Sequence, residues 1–313
     1  MKTFRISLVC LSFMTLLSCS KWQETQVDKD VIEVFIPRDS LVTDIVSQLF
    51  YWYPVNGVEK YELQIASPSF NQINQLVLDT NLSGTQFEFT LKPGSYEWSI
   101  RGYNHSSSTD YTTYRLYIDS TLNLTSQTIL LTSPKDHDTS NQLAQHFNWQ
   151  ALYNAENYLF ELYQPKQTGQ LVYTMVTTDN FIYYNLPDEG SFEWRVRGQN
   201  SNSLSNFSTR QLFTDTTAPN IPSLLIPASN AILNAGDVSF EWSKSNGIGS
   251  STFDTLYVAL DSTLSSLKDK KHASYGEATI DTLASGVYYW GVRSFDIAGN
   301  KSKMSAIRKF TLQ

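Results

Sequence analysis

The sequence predicts an all-β protein made of three tandem antiparallel β-sandwiches. Three observations carry that expectation. A block alternating with a period of two recurs twice, a proline–tryptophan pair recurs in step with it, and no stretch sustains a helical period. The block is Gly94-Ser95-Tyr96-Glu97-Trp98-Ser99-Ile100-Arg101, which returns as Gly190-Ser191-Phe192-Glu193-Trp194-Arg195-Val196-Arg197 and as Gly286-Val287-Tyr288-Tyr289-Trp290-Gly291-Val292-Arg293, offset by 96 residues each time. The pair is Pro37 with Trp52, Pro134 with Trp149 and Pro227 with Trp242, fifteen residues apart in every copy.

Within the block, a strand puts Tyr96, Trp98 and Ile100 on one face, which reads as core, and Glu97, Ser99 and Arg101 on the other, which reads as wet. Phe50-Tyr51-Trp52, Phe147-Asn148-Trp149 and Phe240-Glu241-Trp242 mark an earlier strand of each unit. Tyr61 to Ile65 and Tyr158 to Leu162 begin nine residues after their Trp, and a Gly- and Ser-rich loop from Ser243 to Ser251 delays the third counterpart to about Leu256 to Leu260. Asn56-Gly57, Pro93-Gly94, Glu189-Gly190 and Gly299-Asn300 supply turns between strands of five to eight residues. Short strands with closely spaced turns predict two packed antiparallel sheets per unit. The expected units are 31–120, 128–215 and 222–313, joined by Asp119 to Gln127 and by Asp215 to Ile221, where Pro219 and Pro222 favour an extended link.

Composition agrees. The 313 residues are 41% hydrophobic, 13% aromatic and only 17% charged, with a formal charge of -7, so aromatic side chains suffice for several cores while nucleic acid, which needs a basic face, is excluded as a partner.

The first thirty residues carry a different message. Lys2 and Arg5 precede an apolar run from Ile6 to Leu17, a layout that reads as a secretory signal over 1–18 and is too short to span about 30 Å of hydrocarbon. Leu16-Leu17-Ser18-Cys19 resembles the lipobox of bacterial lipoproteins. That resemblance implies a diacylglyceryl group on Cys19, a tether over 19–30 and, with Ser20 following, placement in the outer membrane. Cys10 leaves with the signal, so Cys19 has no disulfide partner in the mature chain, and lipidation accounts for the odd cysteine. Several acyl chains hold a protein on a membrane where one does not.

The repeat itself resembles fibronectin type III domains of bacterial surface proteins over nearly all of 31–313. Trp52, Trp149 and Trp242 match that family's core tryptophan. Leu91-x-x-Gly94-x-Tyr96 and Leu283-x-x-Gly286-x-Tyr288 resemble its tyrosine corner, in which the middle unit has Phe192 instead, and Asp296 to Ser302 resembles the loop after this strand. The resemblance implies the fold and leaves the role open, since this sandwich hosts many functions.

For chemistry, the sequence offers little. His105, His137, His146 and His272 lack metal-site spacing and read as surface or loop residues; no nucleophile elbow, phosphate loop or paired carboxylates stand out. The expectation is no enzyme, no metal and no cofactor. The repeated tryptophans read as core by phase. Tyrosines out of phase with that core, Tyr51, Tyr53 and Tyr289, or near loops, Tyr103 and Tyr153, are the candidate ligand-facing residues; Tyr111 and Tyr184 belong to the same group. Arg101, Arg197 and Arg293 are expected to pair across strands with a carboxylate or tyrosine. Asp-Ser/Thr triplets such as Asp39-Ser40-Leu41 and Asp281-Thr282-Leu283 resemble an O-glycosylation signal of some Gram-negative bacteria, and also read as ordinary turn residues. The expected function is that of a lipid-anchored outer-membrane protein serving as a non-catalytic protein-binding or scaffolding arm of the envelope. The alternative is a glycan-binding accessory lipoprotein of a polysaccharide-uptake system.

Overall fold

A computed structural model of the chain describes residues 26–27, 31–164, 169–243, 249–273 and 275–313. Cys19, the signal segment and nearly all of the tether lie outside the described residues, as does the centre of the Ser243 to Ser251 loop. No helix among the described residues is long and apolar enough to cross a membrane.

The described chain is all-β. Its first eight strands are β1 Val34–Ile36, β2 Leu41–Thr43, β3 Ser47–Trp52, β4 Lys60–Ser69, β5 Gln72–Leu82, β6 Gln86–Thr90, β7 Gly94–Tyr103 and β8 Thr112–Ile118. They form a three-stranded sheet in the order β1-β3-β6 and a five-stranded sheet in the order β2-β8-β7-β4-β5. The pattern returns with β9 Leu131–Ser133, β10 Asp138–Ser140, β11 Ala144–Trp149, β12 Asn157–Gln164, β13 Gln170–Thr177, β14 Phe181–Asn185, β15 Gly190–Gln199 and β16 Ser208–Thr214. It returns again with β17 Leu224–Ile226, β18 Ala231–Leu233, β19 Gly236–Trp242, β20 Thr252–Ala259, β21 Leu267–Ala273, β22 Glu277–Leu283, β23 Gly286–Asp296 and β24 Arg308–Leu312. The sheet orders β14-β11-β9 with β10-β16-β15-β12-β13, and β17-β19-β22 with β18-β24-β23-β20-β21, repeat the first set strand for strand. By compactness the described chain divides into two bodies, one drawn from Met1–Leu41, Leu49–Phe87 and Ser95–Tyr117, the other from Val42–Gln48, Glu88–Gly94 and Ile118–Gln313.

Strand lengths depart from the expected five to eight residues. The strands β4, β5, β7, β15 and β23 run to ten or eleven, while the strands next to the prolines hold three. The peptide bonds before Pro37, Pro134 and Pro227 are all cis, and Ser40, His137 and Asn230 take the left-handed conformation at the same place in each copy, just before the short strand that pairs parallel to the last strand in the second and third copies.

One aromatic contact between the sheets recurs in every sandwich. The centroids of Phe50 and Trp98 lie 5.0 Å apart, those of Phe147 and Trp194 5.1 Å, and those of Phe240 and Trp290 5.1 Å, all edge-on. These six side chains are fully buried, as the period of two required. Each contributes about 1.5–3 kcal/mol by leaving water, and favourable ring geometry adds to it. Ser99 departs from its expected wet face: it is buried, and its hydroxyl pairs with that of Thr113 at 2.9 Å. The tyrosine corner closes in the third sandwich, where the Tyr288 hydroxyl donates to the Ala284 carbonyl at 3.0 Å; Phe192 fills the same place in the second by packing alone.

The loop after the block is also copied. Asn104, Asn200 and Asp296, again 96 residues apart, each accept amide hydrogens from residues two to four places on, which folds the loop back without regular structure.

Candidate functional site

What the frame leaves at the surface differs between copies, and those differences define the candidate site. In the three-stranded sheet of the first sandwich, Phe50 and Trp52 of β3 point inward, so Tyr51 points out. It meets Phe35 of β1 at 5.6 Å between centroids and Tyr53 at 6.1 Å, while Phe35 and Tyr53 are also 6.1 Å apart. Phe35 and Tyr53 are exposed. The candidate residues Tyr51 and Tyr53 therefore share one patch, with Phe35 as a member that sequence reasoning missed.

The corresponding sheet of the second sandwich carries a patch built from other residues. Phe147 and Trp149 of β11 face the core, so His146 and Asn148 face out. Opposite them on β14, Tyr183 and Phe181 flank the buried Ile182. His146 and Tyr183 stack at 3.9 Å with their planes 7° apart, and Phe181 meets both edge-on at 5.7 and 5.6 Å. Tyr183 is 70% exposed. His146 is thus neither a loop residue nor a freely solvated one: it sits in mid-strand, half-buried, and its Nε2 is covered without a hydrogen-bond partner among the described residues. The alternation His146, Asn148 and Phe181, Tyr183 would have revealed this pair of outward faces, had β14 been marked as a strand.

The remaining candidates stay apart. Tyr103 ends β7 and donates its hydroxyl to Asn81 Oδ1 at 2.9 Å. Tyr289 lies on β23, opposite Ala259 and Lys309. Tyr153 borders an open hollow of about 610 Å³ within the second body, beside Gln150, Asn180 and Lys92. Tyr184 is spent on Tyr173, which it stacks against at 4.3 Å. Tyr111 donates to Glu62 at 2.8 Å; burial first, and then that bond and the nearby carboxylate charge, push its pKa up to about 12.

The repeated arginines only partly follow expectation. Arg101 Nε donates to Glu62 at 2.5 Å and lies 4.8 Å from the Tyr111 ring, as cross-strand pairing requires. In the second sandwich that role passes to Arg195, which bonds Glu161 at 2.6 Å and the Tyr163 hydroxyl at 2.8 Å. Arg197 instead stacks on Phe207 at 4.6 Å. The Nε atoms of Arg197 and Arg293 are buried without a partner among the described residues, so neither Nε makes the carboxylate bond that Arg101 Nε makes. In the first sandwich Glu62 stands directly across from Arg101, whereas in the second Leu159 stands across from Arg197 and Glu161, two residues on, across from Arg195.

No group of three or more His, Cys, Asp or Glu side chains converges among the described residues. His105 lies 3.2 Å from Glu59, His137 is exposed beside Asp136, and His272 Nδ1 hydrogen-bonds the Thr255 hydroxyl at 3.0 Å, each separately.

No family model matches the chain, and no curated protein does. Among solved structures, the FN1-FN3 domains of chicken CNTN1 are similar at 15% identity, covering 90% of this chain and 97% of that one, with a TM-score of 0.43. The fibronectin(III)-like modules of Clostridium thermocellum CbhA are similar at 11% identity, covering 59% of this chain and 94% of theirs, with a TM-score of 0.40.

Proposed function

We propose that the chain is a non-catalytic, protein-binding arm of the bacterial cell envelope, held to the outer membrane by lipid on Cys19 and engaging its partner through the aromatic patches of its first two sandwiches. The observation that carries this reading is the shape of those patches. Phe35, Tyr51 and Tyr53 are inclined to one another by 45° to 81°, and Phe181 stands at 70° and 77° to the stacked His146–Tyr183 pair. Such rings offer edges and clefts that interlock with side chains, as aromatic anchors do at protein interfaces. A sugar ring needs an open flat face, and here His146 and Tyr183 cover one face of each other.

A glycan reading finds its support elsewhere, in the hollow beside Tyr153, where amides of Gln150 and Asn180 could meet hydroxyls next to an exposed ring. The two readings separate cleanly in one experiment. Cross-linking in intact cells should capture a defined envelope protein from the wild type, and Tyr53→Ala combined with Tyr183→Ala should reduce that capture by at least about tenfold with melting unchanged. Undiminished capture sinks the patches as the site. Binding of purified chain to a polysaccharide, abolished by Tyr153→Ala, would give the role to the glycan reading. Cys19→Ser tests the anchor alone, and a variant that stayed in the membrane fraction would refute it.

A further inference from the structure

A strand at the end of a sheet presents unpaired backbone groups, and proteins usually blunt such edges with charge, proline or brevity. Two long edges of this protein are handled in opposite ways. In the third sandwich β21 ends its sheet and carries Lys268, Asp269, Lys270, Lys271 and His272 in succession. In the second, β13 ends its sheet and reads Gln170-Leu171-Val172-Tyr173-Thr174-Met175-Val176-Thr177, with no charge and no proline. Leu171, Met175 and Val176 on it are exposed, Val176 by 56%. One bulge disturbs its pairing with β12 near Val172, and from Tyr173 to Thr177 the ladder is regular.

We propose that β13 is a self-association site, where a second copy of this chain adds its own β13 antiparallel to form one continuous sheet about a two-fold axis. An exposed ladder edge is matched by another extended backbone, so the occupant is a strand. Charge decides which edge can pair with its own copy. Two-fold antiparallel pairing sets each residue of a strand against one from the same strand, so a strand that carries lysines meets lysines at or near the crossing, and like charges opposed across a ladder are destabilising. β13 brings none, whereas β21 brings three lysines and β5, the corresponding edge of the first sandwich, brings Asp79 and two bulges. The same axis brings Met175 of the two copies together on one face of the sheet and Val176 of the two copies together on the other, which removes apolar surface from water on both faces. This inference goes beyond the envelope-partner reading and uses neither aromatic patch.

The test is sedimentation equilibrium of the chain from residue 19 onward with Cys19→Ser, so that no acyl group drives association. A dimer is expected, and Val176→Lys and Met175→Lys should each raise its dissociation constant by at least about tenfold while the melting temperature holds. Lys270→Ala on β21 should change nothing. A monomer at all concentrations up to about 100 µM, or a dimer that both lysine variants leave intact, overturns the proposal. Either result leaves capture of a different envelope protein through Tyr53 and Tyr183 free to succeed or fail by itself.

Discussion

The first two sandwiches and the third solve one packing problem in two ways. At the start of the fourth strand of each set, Tyr61 and Tyr158 are buried, lie 5.4 and 5.6 Å from the rings of Trp52 and Trp149, and accept an amide hydrogen from Val55 and Leu152. Directly across the sheet are Gly102 and Gly198. A methyl group on Gly102 would collide with Val58 and crowd the Tyr61 ring, and one on Gly198 would crowd Leu152 and Ala155, so both places favour glycine. In the third sandwich the same two places hold Asp254 and Ser294. Asp254 is 2% exposed and accepts from Trp242 Nε1 at 2.7 Å and from the Ser294 hydroxyl at 2.6 Å. The indole nitrogens of Trp52 and Trp149, by contrast, are buried without a partner among the described residues. A Tyr/Gly pair that fills space has been exchanged for an Asp/Ser pair that satisfies a donor, and the frame is unchanged. The sheets fix where side chains point, and within that constraint the copies are free to differ.

The largest expected effect breaks the part that all three copies share. Trp149→Ala should cost on the order of 3–5 kcal/mol, since a buried indole leaves a cavity, and calorimetry should show the loss in the second sandwich first. A near-neutral change would mean that this tryptophan is not core. Next comes the part in which they differ. Asp254→Ala should destabilise by about 2 kcal/mol by stranding Trp242 Nε1 and the Ser294 hydroxyl, whereas Asp254→Tyr with Ser294→Gly, which installs the solution of the first two copies, should recover most of that loss. Failure of the double change to improve on Asp254→Ala would show that the two solutions are not interchangeable.

A smaller, pH-dependent effect belongs to Asp215, in the link before β17. Burial works to raise its pKa, but the hydrogen bonds from the Ser250 hydroxyl and amide, both 2.6 Å, and from the Thr217 amide at 3.0 Å outweigh it and hold the carboxyl below its usual range. A depressed folded pKa adds stability above the unfolded value, near 3.9, and loses it as pH falls through the folded value. Ser250→Ala should therefore destabilise the chain at neutral pH, and its deficit against wild type should shrink in melts below about pH 4; a deficit independent of pH would exclude this linkage. Smallest of all is the surface pair, where Arg101→Ala should cost under about 1 kcal/mol, because Arg101 is more than a third exposed. Glu62→Gln should lower the Tyr111 ionisation from about 12 in an absorbance titration by removing the carboxylate's share, while burial keeps it above the ordinary value.

The frame was legible because its signal is local and repeated. Trp98, Trp194 and Trp290 stand in copied alternating strands, and the burial of a strand's two faces follows from that alternation alone. The patches were legible only in part. Tyr51 and Tyr53 stood out by their phase beside Trp52, but Phe35, Phe181 and Tyr183 lie on edge strands, and the ring that His146 of the central β11 meets is set by sheet order, which no local pattern encodes. The same holds for Arg197 and Arg293, where the repeat predicted the arginine and not the partner across the ladder. The Asp254–Trp242 bond was hidden by the long loop that shifts β20 relative to its counterparts.

The most direct test of the account places a photo-reactive amino acid at 53, 183 and 275 in turn and irradiates intact cells. Tyr275 is highly exposed on the third sandwich and meets no other ring among the described residues, so it serves as the control. The account predicts one and the same envelope protein joined to positions 53 and 183 and absent from 275. Adducts from 275 as abundant as those from 53 and 183, or none from either patch, would contradict it.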